Sequence, residues 1–160
     1  MARNRKNKAF VRIPHYVMDT KSYRSLSGNA VKLLNCVVYQ YRGNNNGDLL
    51  ITHSFLEKYF KYSQAMYRAR DELLKKGFIA INAYGGRSYG GRKLPTLYAI
   101  TWQTVNDFRN LEKNTDRYTH LPIDKKPLDY FIEGVNPNYK NTKQKKAQFK
   151  KDIKRANVEH

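Results

Sequence analysis

Polar side chains suited to contact nucleic acid are concentrated in the stretch from Ser63 to Gly77. Glutamine can form two hydrogen bonds with adenine and arginine two with guanine, while lysine and tyrosine can contact phosphate groups. The residues concerned are Ser63, Gln64, Tyr67, Arg68, Asp71 and Lys75. The helical spacing of most of them places them on one face of a helix. The stretch therefore predicts a helix that reads bases and phosphates.

The sequence marks both ends of this helix and an apolar face that is expected to be buried. Ser63 is a good N-cap, and Gly77 suits the left-handed position after the last turn. Apolar residues recur at helical spacing opposite the polar face: Met66, Ala69, Leu73 and Leu74. On periodicity alone, an ordinary amphipathic helix of a small α/β domain explains the stretch as well.

A shorter helix is predicted just before, from His53 to about Phe60, with Thr52 as its N-cap. Its apolar residues, Phe55, Leu56, Tyr59 and Phe60, are expected to join the core. Only Lys61 and Tyr62 separate the two helices, a spacing typical of a helix-turn-helix motif.

Two strands and a basic loop are predicted after Gly77. Residues 78–84 and 97–102 are β-favouring and are expected to pair antiparallel. The connection, residues 85–96, contains four glycines and a set of residues able to contact a phosphate backbone or a minor groove: Arg87, Ser88, Tyr89, Arg92 and Lys93. A plain solvated hairpin loop explains the glycines but gives less reason for the basic residues.

The segments before the helix pair complete an α+β order. Residues 10–14 are predicted as a short strand, and Asp19 or Thr20 as the cap of a brief helix. A long helix from about Gly28 to Tyr41 has one apolar face and places Gln40 toward solvent. Residues 49–51 form a minimal strand. The order is helix, short strand, helix, helix, strand, basic loop, strand, which is that of a winged helix-turn-helix domain.

Beyond the order of the elements, particular residues resemble those of a known group of proteins. They lie in four runs: Leu26-Ser27 with Ala30 and Leu33-Leu34; Gln40 to Gly43 with Asn45 to Leu49; Arg68-Ala69, Glu72-Leu73 and Gly77 to Ile79; and Leu97 to Trp102. Over residues 10–108 the chain resembles winged helix-turn-helix proteins encoded by bacterial phages, plasmids and genomic islands. That group includes DNA-binding regulators and replication initiators. One departure is Arg70, where many winged helices have an apolar residue, and its side chain is expected to extend toward solvent or phosphate.

The net charge of +18 favours a polyanionic partner, with nucleic acid well ahead of a membrane surface. The charge is concentrated at both ends of the chain, around a folded middle. Residues 1–9 are predicted as a flexible basic arm, residues 10–108 as the winged helix domain, and residues 109–160 as an extension with a basic tail. Backbone contacts are predicted for Arg3, Arg5, Lys6, Lys8, Lys61, Tyr62, Lys145, Lys146, Lys150 and Lys151. The alternative for the tail is a solvated segment that only aids solubility.

The apolar patch from Leu128 to Glu133 has two interpretations. It is a short helix packed back on the domain, which we favour, or a docking element for a second copy or for a replication or transcription protein.

Catalytic and metal-binding patterns are missing from the sequence. The four histidines and the single cysteine, Cys36, lack the spacing of zinc ligands, and no phosphate-cradling GxxxxGK[ST] loop occurs. Carboxylates are too scattered for a two-metal nuclease. We therefore expect no enzyme activity, no cofactor and no metal. One cysteine permits no intramolecular disulfide, and no apolar run spans a bilayer, so we expect a cytoplasmic protein without a membrane partner. The resemblance implies that it is bacterial, and the charge that it associates with the nucleoid.

The leading hypothesis is sequence-specific binding to double-stranded DNA. A transcriptional regulator, which commonly acts as a homodimer on a palindromic site, is favoured slightly over a replication initiator that binds origin repeats. A different class is an RNA-binding or single-strand-binding protein that stacks bases on its tyrosines. A winged helix used only for protein contacts fits the charge least well.

Overall fold

Two long helices and a small antiparallel sheet enclose the core of this protein. The computed structural model describes residues 10–88, 90–107, 119–123 and 125–140. The helices in this part are α1 (His15–Met18), α2 (Lys21–Arg24), α3 (Gly28–Gln40), α4 (His53–Leu56) and α5 (Ser63–Lys75). The strands are β1 (Leu49–Leu50), β2 (Ile79–Ala83), β3 (Gly86–Arg87), β4 (Lys93–Leu94) and β5 (Leu97–Ile100). The predicted α+β class is confirmed.

The α3 helix packs its apolar face into the core. The Ser27 hydroxyl caps it by accepting a hydrogen bond from the Ala30 N–H at 3.2 Å. Its buried side chains are Ala30, Leu33, Leu34, Cys36, Val37 and Val38. Gln40 was predicted to face solvent, but it does not. Its side-chain amide pairs with the backbone of Leu50, donating to the carbonyl at 2.9 Å and accepting from the N–H at 2.8 Å, because the end of β1 needs hydrogen-bond partners there.

The α5 helix follows its predicted bounds closely. It begins at Ser63 itself, with Tyr62 in the N-cap position, so the predicted cap is displaced by one residue. At the other end, Gly77 has φ of +81°, and the N–H groups of Gly77 and Phe78 donate to the carbonyls of Leu74 and Leu73. This is the hydrogen-bond pattern of a Schellman motif. The predicted apolar face is buried: Met66, Ala69, Leu73 and Leu74.

The sheet has the strand order β1-β5-β2, with both pairs antiparallel. Ile79 lies opposite Ile100 and Ala80 opposite Ala99, and the register shifts between Ile81 and Ala83. The predicted pairing of the strand after α5 with the strand near residue 100 is confirmed, although both strands are shorter than predicted.

A buried asparagine ties the loop after α3 to the end of β5. The Asn46 side chain donates to the carbonyls of Ile100, Gln103 and Thr104 and accepts from the Ile100 N–H at 2.7 Å. Asn106 binds the Asn46 backbone in return. This loop therefore supports the sheet in addition to reversing the chain.

Two predicted elements near the N-terminal half differ in the structure. Residues 10–14 are not a strand; the exposed side chains of Phe10 and Val11 give that segment no apolar face to bury, and Pro14 precedes α1. The α4 helix ends at Leu56 instead of Phe60. Phe55 is 48% exposed and is not a core residue, because Leu56 and Phe60 are the buried side chains of this segment.

Residues beyond 108 complete the core. Phe131 is fully buried and stacks on Phe78 with ring centroids 5.6 Å apart, while Trp102 meets it edge-on at 6.0 Å. Residues 128–133 thus pack back on the domain as favoured, but as turns rather than a helix. Ile132 and Glu133 remain exposed. The folded unit therefore includes side chains outside the predicted 10–108 boundary.

Candidate nucleic-acid interface

The polar face of α5 points away from the core. Gln64, Tyr67, Arg68 and Lys75 are exposed, and Ser63 is exposed in the first turn. Among the described residues, the side chains of Gln64, Arg68 and Lys75 form no hydrogen bond or ion pair. These groups are therefore available to an external partner.

Glu72 links the last turns of α5 to the start of α3. Its carboxylate accepts hydrogen bonds from the Ser27 N–H at 2.9 Å and the Ser27 hydroxyl at 2.6 Å, and Lys76 pairs with it at 3.2 Å. Partial burial opposes the charge of this carboxylate, but the bonds from Ser27 and the Lys76 charge outweigh it and lower the pKa of Glu72. The start of α3 and the end of α5 are thus joined by a charged hydrogen-bond network.

Arg70 does not extend into solvent as predicted. Its Nε and Nη2 donate to Asp71 Oδ1 at 3.0 and 2.7 Å, and its guanidinium lies 4.9 Å from the centre of the Tyr67 ring. Burial disfavours the charge, yet the Asp71 carboxylate and the nearby Tyr98 hydroxyl raise the pKa of Arg70. The predicted contact residue Asp71 is thereby half-buried and held in an intramolecular ion pair.

The described residues of the segment 85–96 form a short two-stranded hairpin, so part of the predicted basic loop is strand. Its strands β3 and β4 pair Gly86 with Leu94 and Arg87 with Lys93. The turn is closed by the Ser88 N–H, which donates to the Arg92 carbonyl at 2.9 Å, and by the Ser88 hydroxyl, which accepts from the Arg92 N–H. Ser88 is therefore used within the turn. Tyr89 lies outside the described residues.

The cations of this hairpin are exposed. Arg87, Arg92 and Lys93 form no ion pair with any described residue. The base of the hairpin lies beside α5, because Tyr84 and Thr96 line the same cavity as Arg70 and Asp71. Of the predicted contact residues described, Asp71 alone lines this cavity together with the base of the hairpin; Gln64, Arg68 and the three hairpin cations do not line it.

The remaining predicted contacts are only partly covered by the structure. Lys61 and Tyr62 are exposed just before α5, with the Lys61 Nζ 5.3 Å from the Tyr62 ring centre. The others lie outside the described residues: Arg3, Arg5, Lys6, Lys8, Lys145, Lys146, Lys150 and Lys151.

Cation–aromatic pairs are a surface feature that the predicted elements and motifs do not include. Arg42 lies 5.6 Å from the ring centre of the half-exposed Tyr39, in addition to the Lys61–Tyr62 and Arg70–Tyr67 pairs. The available signal was a lysine or arginine within three residues of a tyrosine.

In the part of the chain that the structure describes, no group of three or more histidine, cysteine or acidic residues is placed to hold a metal ion. Within the same residues, no helix has the length and apolarity needed to cross a membrane. Comparisons with protein-family models, with curated proteins and with solved structures give no match to this chain.

Proposed function

We propose that this protein binds double-stranded DNA sequence-specifically through a winged helix-turn-helix domain. In this proposal α5 is the recognition helix, α4 is the helix that precedes it, and the 85–96 hairpin is the wing. The observation that carries the proposal is the exposed face of α5. Its Gln64 and Arg68 lie one helical turn apart and have no partner among the described residues, and the 85–96 hairpin carries three more exposed cations.

The geometry of a helix in the major groove suits these side chains. The groove is about 12 Å wide and admits one α-helix, whose N-terminal residues reach the base edges. Gln64 would pair with adenine and Arg68 with guanine, while Tyr67 and Ser63 flank them. Lys61, Tyr62 and Lys75 would contact phosphates at the two ends of α5. Arg87, Arg92 and Lys93 would follow the backbone or enter the adjacent minor groove.

The role we assign is transcriptional regulation in a mobile genetic element, in line with the resemblance of residues 10–108. Nuclease protection on the DNA around the gene distinguishes this role from replication initiation. Protection of a promoter supports a regulator, whereas protection of iterated repeats supports an initiator.

Selection from a random pool of duplexes tests the binding itself. The full chain should enrich duplexes that share a short motif with adenine and guanine at fixed positions. Recovery of duplexes without any shared motif, with affinity set only by salt and length, would contradict sequence-specific recognition.

Single-stranded nucleic acid is the second candidate partner, and the exposed cation–tyrosine pairs favour it. A tyrosine ring beside a cation can stack a base and contact its phosphate. A single-stranded pool is therefore selected in parallel. Tighter binding to single strands than to any duplex would favour this candidate over the first.

A further inference from the structure

A cavity of about 510 Å³ lies between the side of α5, the sheet and residues 136–140. Its volume is within the range of roughly 300–1,000 Å³ common for small-molecule sites. The walls come from segments distant in sequence: Arg70 and Asp71 from α5, Tyr98 from β5, and Tyr139 and Lys140 from the end of the described chain. The DNA-binding proposal makes no use of this cavity.

The lining favours an anion. Two cationic residues, Arg70 and Lys140, line the cavity with one acidic residue, Asp71, whose carboxylate pairs with Arg70. A guanidinium has five N–H donors, so the bonds from Nε and Nη2 to Asp71 leave donors for a carboxylate or phosphate oxygen.

The lining also favours a planar ring. Three tyrosines border the cavity, Tyr84, Tyr98 and Tyr139, and His120 meets the Tyr84 ring edge-on with centroids 4.9 Å apart. Aromatic walls of this kind hold flat ligands by stacking and edge contacts. Asn138 also lines the cavity, whereas the neighbouring Asn136 amide is used within the fold, donating to the Ile79 carbonyl and accepting from the Asn138 N–H.

One residue connects the cavity to the exposed face of α5. Arg70 lines the cavity and also lies against the Tyr67 ring, which is part of the exposed face. A ligand anion that competes with Asp71 for Arg70 would alter the support beneath Tyr67.

We propose that this cavity is an effector site for a small anion that carries a planar ring, and that Arg70 transmits its occupancy to Tyr67. A nucleoside monophosphate and an aromatic carboxylate share this chemistry. The binding step stands independently of the DNA-binding proposal, whereas the transmission step rests on it.

Calorimetric titration of the full chain without DNA tests the binding step. The probes are AMP and 4-hydroxybenzoate, with adenosine and inorganic phosphate as controls that lack the anion or the ring. We expect at least one probe to bind at millimolar Kd or tighter, and more tightly than both controls. The better probe identifies the anion as phosphate or carboxylate. The proposal is overturned if neither probe exceeds the controls.

Matched variants locate the site. Arg70→Gln should weaken binding of the probe about tenfold, the loss expected for one charge-assisted hydrogen bond. Arg42→Gln removes an arginine that also lies over a tyrosine but outside the cavity, and should change Kd less than about twofold. Thermal melts confirm that both variants fold. Equal losses in the two variants would overturn the assignment, as would probe binding seen only after deletion of residues 141–160.

The transmission step is tested with the selected duplex. A saturating probe should shift the DNA affinity of the parent protein and leave that of Arg70→Gln unchanged. Probe binding without any such shift overturns transmission alone. Absence of duplex binding under all conditions overturns the proposed function and leaves the cavity assignment standing on the calorimetry.

Discussion

Among single residues, the fold shifts the pKa values of two carboxylates in opposite directions. Glu72 is held charged by Ser27 and Lys76, which lower its pKa. Asp129 has a side-chain oxygen that is buried without a hydrogen-bond partner among the described residues, and burial raises the pKa of this carboxyl. The two sites therefore predict opposite responses to neutralisation.

Glu72→Gln should destabilise the protein at pH 7 by roughly 1 kcal/mol, because an amide offers one acceptor where Ser27 uses two carboxylate oxygens. The folded pKa lies below the ordinary value of 4.5, so the stabilisation is complete above that value and is lost as the pH falls through the folded pKa. Urea unfolding at pH 7 and about pH 3 measures it. The gap between parent and variant should close in acid, and a gap unchanged at low pH would show that ionised Glu72 is not its source. Glu57→Gln, at an exposed site, is the control.

Asp129→Asn should stabilise the protein at pH 7 by roughly 1 kcal/mol. The folded pKa lies above the ordinary value of 3.8, so the stability linked to the protonated carboxyl is present below that value and lost as the pH rises through the folded pKa. Asparagine stays neutral and tolerates the φ of +48° at this position. Urea unfolding at the same two pH values should show that the stability difference between Asp129→Asn and the parent protein shrinks in acid. Asp19→Asn is the control at an exposed site. Lower stability at pH 7 would refute the account of this site.

The orientation of the Arg70 side chain could not be predicted from the local sequence. Its helical position predicts only that the side chain leaves the polar face at an angle. The Tyr98 hydroxyl that favours its inward orientation is contributed by β5, and no local pattern indicates which strand lies beside α5.

At the scale of elements, α5 is predictable because its signals are local. Leu73 on α5 is fully buried in the core, as the apolar spacing predicts. Leu73→Ala should lower the free energy of unfolding by roughly 2–5 kcal/mol through loss of contacts and an unfilled cavity. Lys75→Ala on the exposed side of the same helix should change it by less than about 0.5 kcal/mol. Chemical denaturation compares the two, and a similar small effect for both would mean that Leu73 is not a core contact.

Elements that depend on distant partners were not predictable in detail. The 42–48 segment is predicted as a turn because it is rich in asparagine and glycine. The sequence does not indicate, however, that the Asn46 side chain forms four hydrogen bonds with residues 100–104. Phe131 follows two prolines in a region of weak periodicity, and its place beside Phe78 and Trp102 depends on the tertiary structure. The candidate sites divide in the same way: the α5 face follows from the spacing of its residues, whereas the cavity is assembled from five separate segments.

At the scale of the whole molecule, the basic tail supplies charge without any apolar stripe. Residues 141–160 contain seven lysine and arginine residues against Asp152 and Glu159. Truncation after Lys140 keeps Tyr139, which packs against the core. It should weaken binding to selected and random duplexes by similar factors and reduce the log–log salt slope by roughly 3 units, if about half of the cations reach phosphates. Binding titrations at several salt concentrations measure both quantities. An unchanged slope would remove the tail from the DNA interface.

Base reading by α5 carries the proposed function. Its most direct test is competition binding of Arg68→Ala to the selected duplex, to duplexes with one substituted base pair, and to random duplex at one salt concentration. Arg68→Ala should lose roughly 1–3 kcal/mol of discrimination at a single base pair while its affinity for random duplex stays nearly constant. Lys75→Ala, as a phosphate-contact control, should weaken binding to every duplex equally. If Arg68→Ala instead weakens binding to all duplexes by the same factor, Arg68 contacts only the backbone and the claim that it reads a base is wrong.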